Sequence, residues 1–360
     1  MAIVLMSILL FGVMSIFQFP YGHVVNIIQG FYREPKNTID VVLVGASEVS
    51  AGYSAPVAFK LFGYTSYPYA IDGNQVRMIQ YELNEIYAHQ NPKVILIDIG
   101  CMSSYSHAYN DDNFDGRFRA FINNIPLSTN KIQAIDNLAK QQEKTSYYLP
   151  FITYHGFIPN TDYAQFLLSG ENKLKGTYAR SSKIEEAGNV LTIDSTVKPI
   201  KKEYETEILD LLRFCKNKGC NVVFTRFPNR INNEDYLTRF QECNYIKNLI
   251  QEQGFPFFDC MTSELMNSLD YQQDFYTNDH MSLKGQKKLT EFIGKKLTKE
   301  FGISKTDISS VVSSKWFESV SYIEAFYDYM DKIEKGRSKD QDIYYFETSE
   351  LIRKLDSIRK

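Results

Sequence analysis

The chain has 360 residues, 44% of them hydrophobic and 23% charged, so it can bury one large core or two ordinary ones. Its formal net charge of −3 provides no basic field, which argues against nucleic acid as a partner. Five cysteines without Cys/His clustering favour neither a disulfide framework nor a zinc site, although Cys215 and Cys220 flank a turn and could pair. The 25 tyrosines would suit a carbohydrate groove, but they are equally compatible with ordinary packing.

The N-terminus is the clearest break in composition. Residues 2–19 carry no charged side chain, and as a helix they would rise about 27 Å, close to the hydrocarbon thickness of a bilayer. We therefore expect a transmembrane anchor over residues 1–20 and a linker over residues 21–37. A cleaved signal peptide and a buried core helix are the alternatives. No Lys or Arg precedes the segment, so its orientation is weakly specified.

Strands and helices alternate in the next part of the chain. We expect a strand at 41–45, a short helix at 56–62, a strand at 64–70, an amphipathic helix at 75–89 and a strand at 94–100. This βαβαβ order predicts a parallel sheet with helices on both faces, that is, an α/β fold.

The periodicity is lost over residues 101–200 and then returns. We interpret residues 101–200 as an irregular insertion with local structure of its own, of the kind that covers the carboxyl edge of a sheet. Further elements are expected as helices at 204–216, 236–253 and 286–301 and as strands at 221–227 and 256–259. Apolar residues at helical spacing then predict a helical hairpin extension over residues 303–360, which either packs on the main domain or docks to a partner or the membrane surface.

The first candidate for chemistry is Ser47. It follows the strand at 41–45, at the edge of the sheet where open α/β folds bind their ligands. A serine nucleophile needs a base within hydrogen-bond reach. Of the five histidines, His280 lies in a polar loop directly before a helix, on the edge where Ser47 is expected. The sequence therefore predicts a Ser47–His280 pair, although a single histidine in a loop is more commonly a solvent-facing side chain.

Several stretches, taken together, resemble a known family. Gly45-Ala46-Ser47 after the first strand, Gly73 after the second and a histidine before the last helix resemble the SGNH (GDSL-like) hydrolase superfamily. The stretches 41–52, 91–96 and 274–285 are similar to its membrane-anchored cell-envelope members in Gram-positive bacteria, which are related to polysaccharide O-acetyltransferases and teichoic-acid D-alanylation D proteins. The resemblance implies a three-layer α/β/α flavodoxin-like fold over residues 38–302 and acyl-ester chemistry without a cofactor or metal.

The resemblance also implies residue roles. Ser47 would be the nucleophile and His280 the general base, while the N–H groups of Ser47 and Gly73 would stabilise the oxyanion, with the Asn74 side chain as a further donor. Two positions depart from the family pattern. Ala46 replaces the usual aspartate before the serine, and Cys101 stands where the third-block asparagine is expected.

The acid that should orient His280 is the third departure. Thr277 occupies the family's position three residues before the histidine, while Asp279 is adjacent to it and Asp274 lies six residues before it. We assign Asp279 to the catalytic set, with Thr277 and Asp274 as possible substitutes, but adjacent side chains rarely face each other in an extended loop, and in such a loop Asp279 would not orient the ring. A backbone carbonyl or Asp274 would then serve instead. Because losing a triad acid can cost about 10⁴ in rate, a catalytically impaired protein is a real alternative.

The expected function is that of an extracytoplasmic, single-pass membrane protein with serine acyl esterase or acyltransferase activity. Its substrates would be acyl groups, O-acetyl or D-alanyl-like, on a cell-surface glycan or teichoic acid, with a membrane-bound O-acyltransferase as a possible partner. One alternative is an impaired accessory protein that binds glycan or such a partner. Another is an esterase for lipids or thioesters.

Overall fold

The computed structural model describes residues 5–6, 23–110, 113–156, 172–179, 191 and 193–335. Almost all of the expected anchor over residues 1–20 lies outside these ranges, as does the second half of the expected C-terminal hairpin. Within the described ranges, no helix combines the length and the apolar character needed to cross a membrane.

The centre of the fold is a parallel sheet of five strands. They are β1 Val41–Gly45, β2 Ser66–Ala70, β3 Val94–Asp98, β4 Val222–Arg226 and β5 Phe257–Asp259. Their order is β2-β1-β3-β4-β5, and every pairing is parallel. This order is the one of flavodoxin-like doubly wound sheets, in which the connection reverses direction between β1 and β3. The predicted α/β class is confirmed.

Helices surround the sheet. They are α1 His23–Arg33, α2 Ser47–Gly52, α3 Ala55–Phe62, α4 Val76–His89, α5 Ser104–Asn110, α6 Phe114–Ile122, α7 Thr129–Leu138, α8 Lys144–Tyr148, α9 Phe151–Tyr154, α10 Lys202–Lys218, α11 Glu234–Glu252, α12 Ser263–Met266, α13 Leu283–Glu300 and α14 Ser310–Lys335, with a 3₁₀ turn at Gly100–Met102. Helix α13 packs against α2 and α3, whereas α4 packs against α10. Strands β1 to β4 are buried along their whole length, as in sheets covered on both faces.

The segment expected to be a linker is largely a packed helix. Ile27, Ile28 and Phe31 on α1 are at most 2% exposed, and α1 packs against β2. The Tyr67 hydroxyl donates a hydrogen bond of 2.8 Å to the Ile27 carbonyl. The prediction of a linker over 21–37 was therefore wrong from His23 to Arg33. The apolar residues there follow helical spacing, and this pattern was the signal for a buried helix.

The expected irregular insertion is more regular than predicted over its first half. Helices α5 to α9 occupy most of residues 104–154, and Phe118, Phe121 and Ile135 are fully buried in the same core as the sheet. Short helices with few apolar residues each gave little periodicity, so the sequence did not reveal that this region completes the main core.

A later segment of the same region, residues 172–179, contacts α2, α3 and the end of α1. The Tyr178 N–H donates to the Ser50 carbonyl at 2.8 Å, and the Ala55 N–H donates to Thr177 Oγ1 at 3.0 Å. Lys175 forms a buried ion pair of 2.7 Å with Glu34, each side chain being 1% exposed. This segment therefore links the end of α1 to α2 and α3.

Helix α14 is the described part of the C-terminal extension. Trp316, Ile323 and Phe326 are buried, and α14 packs against α3. Packing on the main domain, the first of the two expected roles, is thus confirmed for residues 316–326. The helix is 26 residues long and extends to Lys335.

Candidate active site

Ser47 is the first residue of α2 and directly follows the end of β1. Ala46 is extended, with φ −91° and ψ −163°, so the chain turns from strand to helix at the serine. Gly45 makes this turn possible, because a Cβ there would lie 2.6 Å from Val49 Cγ2 and 3.1 Å from Asp98 Cβ. The serine is partly exposed at the carboxyl edge of the sheet, where the sequence predicted it.

His280 reaches Ser47 from the other end of the chain. Its Nε2 atom lies 2.7 Å from Ser47 Oγ, across 233 residues of sequence. The loop that carries it is folded back on itself, since Phe275 and Met281 form an antiparallel bridge. The Tyr276 N–H also donates to the His280 carbonyl at 2.8 Å. The predicted nucleophile–base pair is thus brought within hydrogen-bond distance.

The second ring nitrogen of His280 faces a carboxylate. Its Nδ1 lies 2.8 Å from Asp279 Oδ1 and 2.7 Å from Thr277 Oγ1, and the Thr277 hydroxyl donates to Asp279 Oδ1 at 2.8 Å. With a proton on Nδ1, Nε2 presents its lone pair to the serine, as a general base requires. Asp279 thus faces the ring, as its assignment to the catalytic set requires, because residues 276–280 form a tight turn instead of an extended loop.

Asp274, the other candidate acid, is used differently. It is 1% exposed, and its Oδ2 accepts hydrogen bonds from Lys288 Nζ at 2.6 Å and from the Asp270 N–H at 2.7 Å. The Ser282 N–H donates to its carbonyl at 2.9 Å, and a Cβ at Gly285 would collide with the same carbonyl. Asp274 therefore ties the base of the loop to α13, and Asp279 is the acid that reaches His280.

Two backbone donors lie at the ends of neighbouring strands. Ser47 follows β1, and Gly73 lies in the turn after β2, with a left-handed φ of 62°. The Ile71 N–H donates to the Gly45 carbonyl at 3.1 Å, which holds the two strand ends together. Neither the Ser47 nor the Gly73 N–H has an acceptor in the described part of the chain. Such N–H groups can stabilise an oxyanion that forms next to the serine.

The Asn74 side chain is fully buried and already engaged. Its Nδ2 donates to the Gly45 carbonyl at 3.2 Å and to Glu82 Oε2 at 3.0 Å, and its Oδ1 accepts from the Gln75 N–H at 2.8 Å. The expectation that this amide helps bind the oxyanion is therefore corrected. Asn74 instead fixes the turn that presents Gly73.

Cys101, at the position where the third sequence block of the SGNH family has an asparagine, contributes no side-chain donor to the crevice. Cys101 is 1% exposed, its thiol points back to the Asp98 carbonyl at 3.4 Å, and burial raises its pKa well above the usual value. Of the predicted oxyanion donors, only the backbone N–H groups of Ser47 and Gly73 are still candidates.

Arg239, on α11, lies beneath the pair and was missed by sequence reasoning. Its Nη2 donates to Glu48 Oε1, and its Nη1 lies 3.4 Å from Asp279 Oδ2, while the side chain is only 4% exposed. A signal was present in the sequence, because Arg239 adjoins Phe240 and lies four residues before Cys243 on the buried side of α11. A charged residue in such a position requires partners.

The carboxylates around Arg239 have shifted pKa values. Burial, followed by repulsion from Glu48, raises the pKa of Asp98 to about 7, although the Phe227 and Gly100 N–H groups donate to it at 2.8 and 3.0 Å. Burial also acts to raise the pKa of Asp279, but attraction to His280 and Arg239 outweighs it and holds the pKa well below its usual range. Asp279 is therefore ionised at neutral pH, as an orienting acid must be.

Among the described residues, no group of His, Cys, Asp and Glu side chains could hold a metal ion, and all five cysteines are free. Comparisons with protein-family models, with curated proteins and with solved structures gave no match. The geometry itself defines a serine, a histidine and an aspartate in a hydrogen-bonded line. This arrangement is suited to nucleophilic acyl transfer.

Proposed function

We propose that this protein is an SGNH-type serine acyl esterase or acyltransferase. The observation that carries the proposal is the line formed by Ser47 Oγ, His280 and Asp279, with separations of 2.7 and 2.8 Å. The parallel sheet order supports the same conclusion, because it is compatible with the three-layer α/β/α fold of this superfamily.

The first half of the reaction acylates the serine. Ser47 Oγ attacks the carbonyl carbon of an ester while its proton passes to His280 Nε2, and Asp279 stabilises the imidazolium that forms. The negative charge on the former carbonyl oxygen is bound by the N–H groups of Ser47 and Gly73. When the tetrahedral intermediate collapses, the ester C–O bond breaks and His280 returns its proton to the leaving alkoxide.

The second half releases the acyl group. Water, in an esterase, or a hydroxyl of a second molecule, in a transferase, gives its proton to His280 and attacks the acyl carbon. The new tetrahedral intermediate then breaks its bond to Ser47 Oγ, which takes back the proton. The fate of the acyl group depends on how well water is excluded from the crevice.

We propose a cell-surface glycan or teichoic acid as the substrate, carrying O-acetyl or D-alanyl-like groups. The resemblance of residues 41–52 and 274–285 to anchored cell-envelope proteins supports this choice, as does the uncharged stretch over residues 2–19. In this proposal the N-terminal segment anchors the protein as a single-pass membrane protein, the active site lies outside the cytoplasm and a membrane-bound O-acyltransferase is a partner.

The test is mass spectrometry of the purified full-length protein after incubation with p-nitrophenyl acetate. We expect one acetyl group on Ser47, absent from Ser47→Ala and from His280→Ala. A glycan acceptor added to the acylated protein then separates transfer from hydrolysis. A folded protein that forms no adduct and shows no turnover would contradict the proposal and favour the accessory role, in which the crevice only binds glycan or a partner.

A further inference from the structure

Arg239 joins the two halves of the candidate site. One of its terminal nitrogens, Nη2, donates to Glu48, the residue that follows the nucleophile on the first turn of α2. The other, Nη1, lies 3.4 Å from Oδ2 of Asp279, whose Oδ1 faces His280. Because the two oxygens of Asp279 face different partners, the position of the guanidinium fixes the rotation of the carboxylate that orients the histidine.

The surroundings of Arg239 hold its guanidinium in this position. Asn229 Oδ1 accepts a hydrogen bond of 3.0 Å from Nη1, and the Tyr105 ring centroid lies 5.7 Å from Cζ. Gly100 leaves the necessary space, because a Cβ there would lie 2.8 Å from Nη2. A guanidinium can place separate nitrogens on separate carboxylates, whereas the single ammonium of a lysine cannot do so in the same geometry.

We propose that Arg239 is a positioning residue that sets the basicity of His280 by sharing its positive charge between Asp279 and Glu48. The catalytic meaning of this role rests on the proposed function, but the effect on the imidazole is a property of the folded protein alone. The negative charge of Asp279 favours protonation of the His280 ring, and the positive charge of Arg239 opposes it. The negative charge of Glu48 in turn weakens the effect of Arg239. Removing Arg239 should therefore make His280 more basic, and removing the Glu48 charge should make it less basic.

Several other ionisable or polar groups face this cluster. They are Thr277 on the same loop, Tyr236 and Cys243 on α11, Tyr105 on α5 and Asp98 at the end of β3. Asp98 matters most for a titration, since burial raises its pKa to about 7, close to the usual value for imidazole. Measurements in an Asp98→Asn background remove this second titration.

The experiment is an NMR titration of the full-length protein with ¹⁵N-labelled histidine, in which the His280 ring signals are assigned by their loss in His280→Gln. We expect Arg239→Met to raise the pKa of His280 by about one unit and Glu48→Gln to lower it by about half a unit. The matched control is Arg226→Met. Arg226 is also buried and forms an ion pair with Asp259, whose carboxylate is 15% exposed, so this substitution should leave the pKa of His280 unchanged.

Opposite shifts in Arg239→Met and Glu48→Gln support the proposal, since a purely structural role would not produce opposite signs. Shifts of the same sign, or no shift in either variant, overturn it. If Arg239→Met does not fold, two other variants decide. Glu48→Gln must still lower the pKa of His280. Arg239→Lys keeps the charge, so it should shift the pKa of His280 by less than half a unit while slowing acylation about tenfold. The titration needs no substrate, so opposite shifts without acylation would contradict the proposed function and leave this inference standing.

Discussion

Replacing Asp279 with asparagine tests the catalytic line most directly. The carboxylate contacts three donors: the Thr277 hydroxyl at 2.8 Å, His280 Nδ1 at 2.8 Å and Arg239 Nη1 at 3.4 Å. An asparagine has one oxygen and one NH₂ group, so it cannot serve both sides. With the oxygen toward His280, the NH₂ group faces the Arg239 donor. With the amide reversed, it donates to Nδ1 and favours the tautomer whose Nε2 already carries a proton.

Either orientation of the amide is costly. A hydrogen bond to a charged group contributes about 1.5–3 kcal/mol, so we expect Asp279→Asn to lower the free energy of unfolding by about 2–4 kcal/mol. Losing the correct tautomer and the stabilisation of the imidazolium should slow acylation of Ser47 by about 10³–10⁴-fold. That factor corresponds to about 4–5.5 kcal/mol in the activation free energy.

The assay is the rate of p-nitrophenol release in the first turnover, with urea unfolding measured in parallel. Asp274→Asn is the matched control, because it removes a carboxylate of the same loop that pairs with Lys288 instead of His280. It should lose stability but keep the acylation rate within about threefold of the native protein. A rate for Asp279→Asn within tenfold of the native protein, or a larger loss in Asp274→Asn, would refute the assignment of Asp279 as the orienting acid.

Three further predictions concern the surroundings of the site. Thr277→Val removes the hydroxyl that donates to Asp279 and should slow acylation about tenfold, whereas Thr277→Ser should restore the rate; equal rates in both variants would exclude a role for the hydroxyl. Burial raises the pKa of Glu82 from 4.5 to about 8, so the contribution of Glu82 to stability should fall by about 1.4 kcal/mol per pH unit between these values as the unfolded chain releases a proton that the native protein retains. Urea unfolding at pH 5, 6.5 and 8 should show that Glu82→Gln loses this slope, and an unchanged slope would contradict the assigned burial effect. Gly100→Ala should destabilise the protein by about 1–3 kcal/mol, because the added Cβ would lie 2.8 Å from Arg239 Nη2. Gly116→Ala places its Cβ where no atom lies within 4 Å, so it should stabilise helix α6 by up to about 1 kcal/mol. Thermal unfolding of the two alanine variants checks this contrast, and a loss of the same size in both would contradict it.

The sequence by itself determined the parts of this protein that depend on local patterns. Continuous apolar runs such as Val41–Val44 identified the strands, and helical spacing identified α4, α10, α11 and α13 to within three residues of their observed ends. The order of these elements fixed the α/β class, because alternating strands and helices form a parallel sheet. Since parallel strands present their carboxyl ends at one edge, the sequence also predicted that Ser47 and His280 lie near each other.

The tertiary structure decided what depends on the path of a loop or on distant side chains. Whether Asp279 could face the ring of its neighbour depended on the turn that closes when Tyr276 bonds to the His280 carbonyl. The Asn74 amide was assigned to the wrong task, because its partners, Gly45 and Glu82, belong to other elements. Arg239 is 191 residues from Glu48 in sequence, and only folding brings these two charges together in the core beneath the nucleophile. Local patterns record which residues prefer a strand, a helix or the interior, but they do not record which buried charges meet.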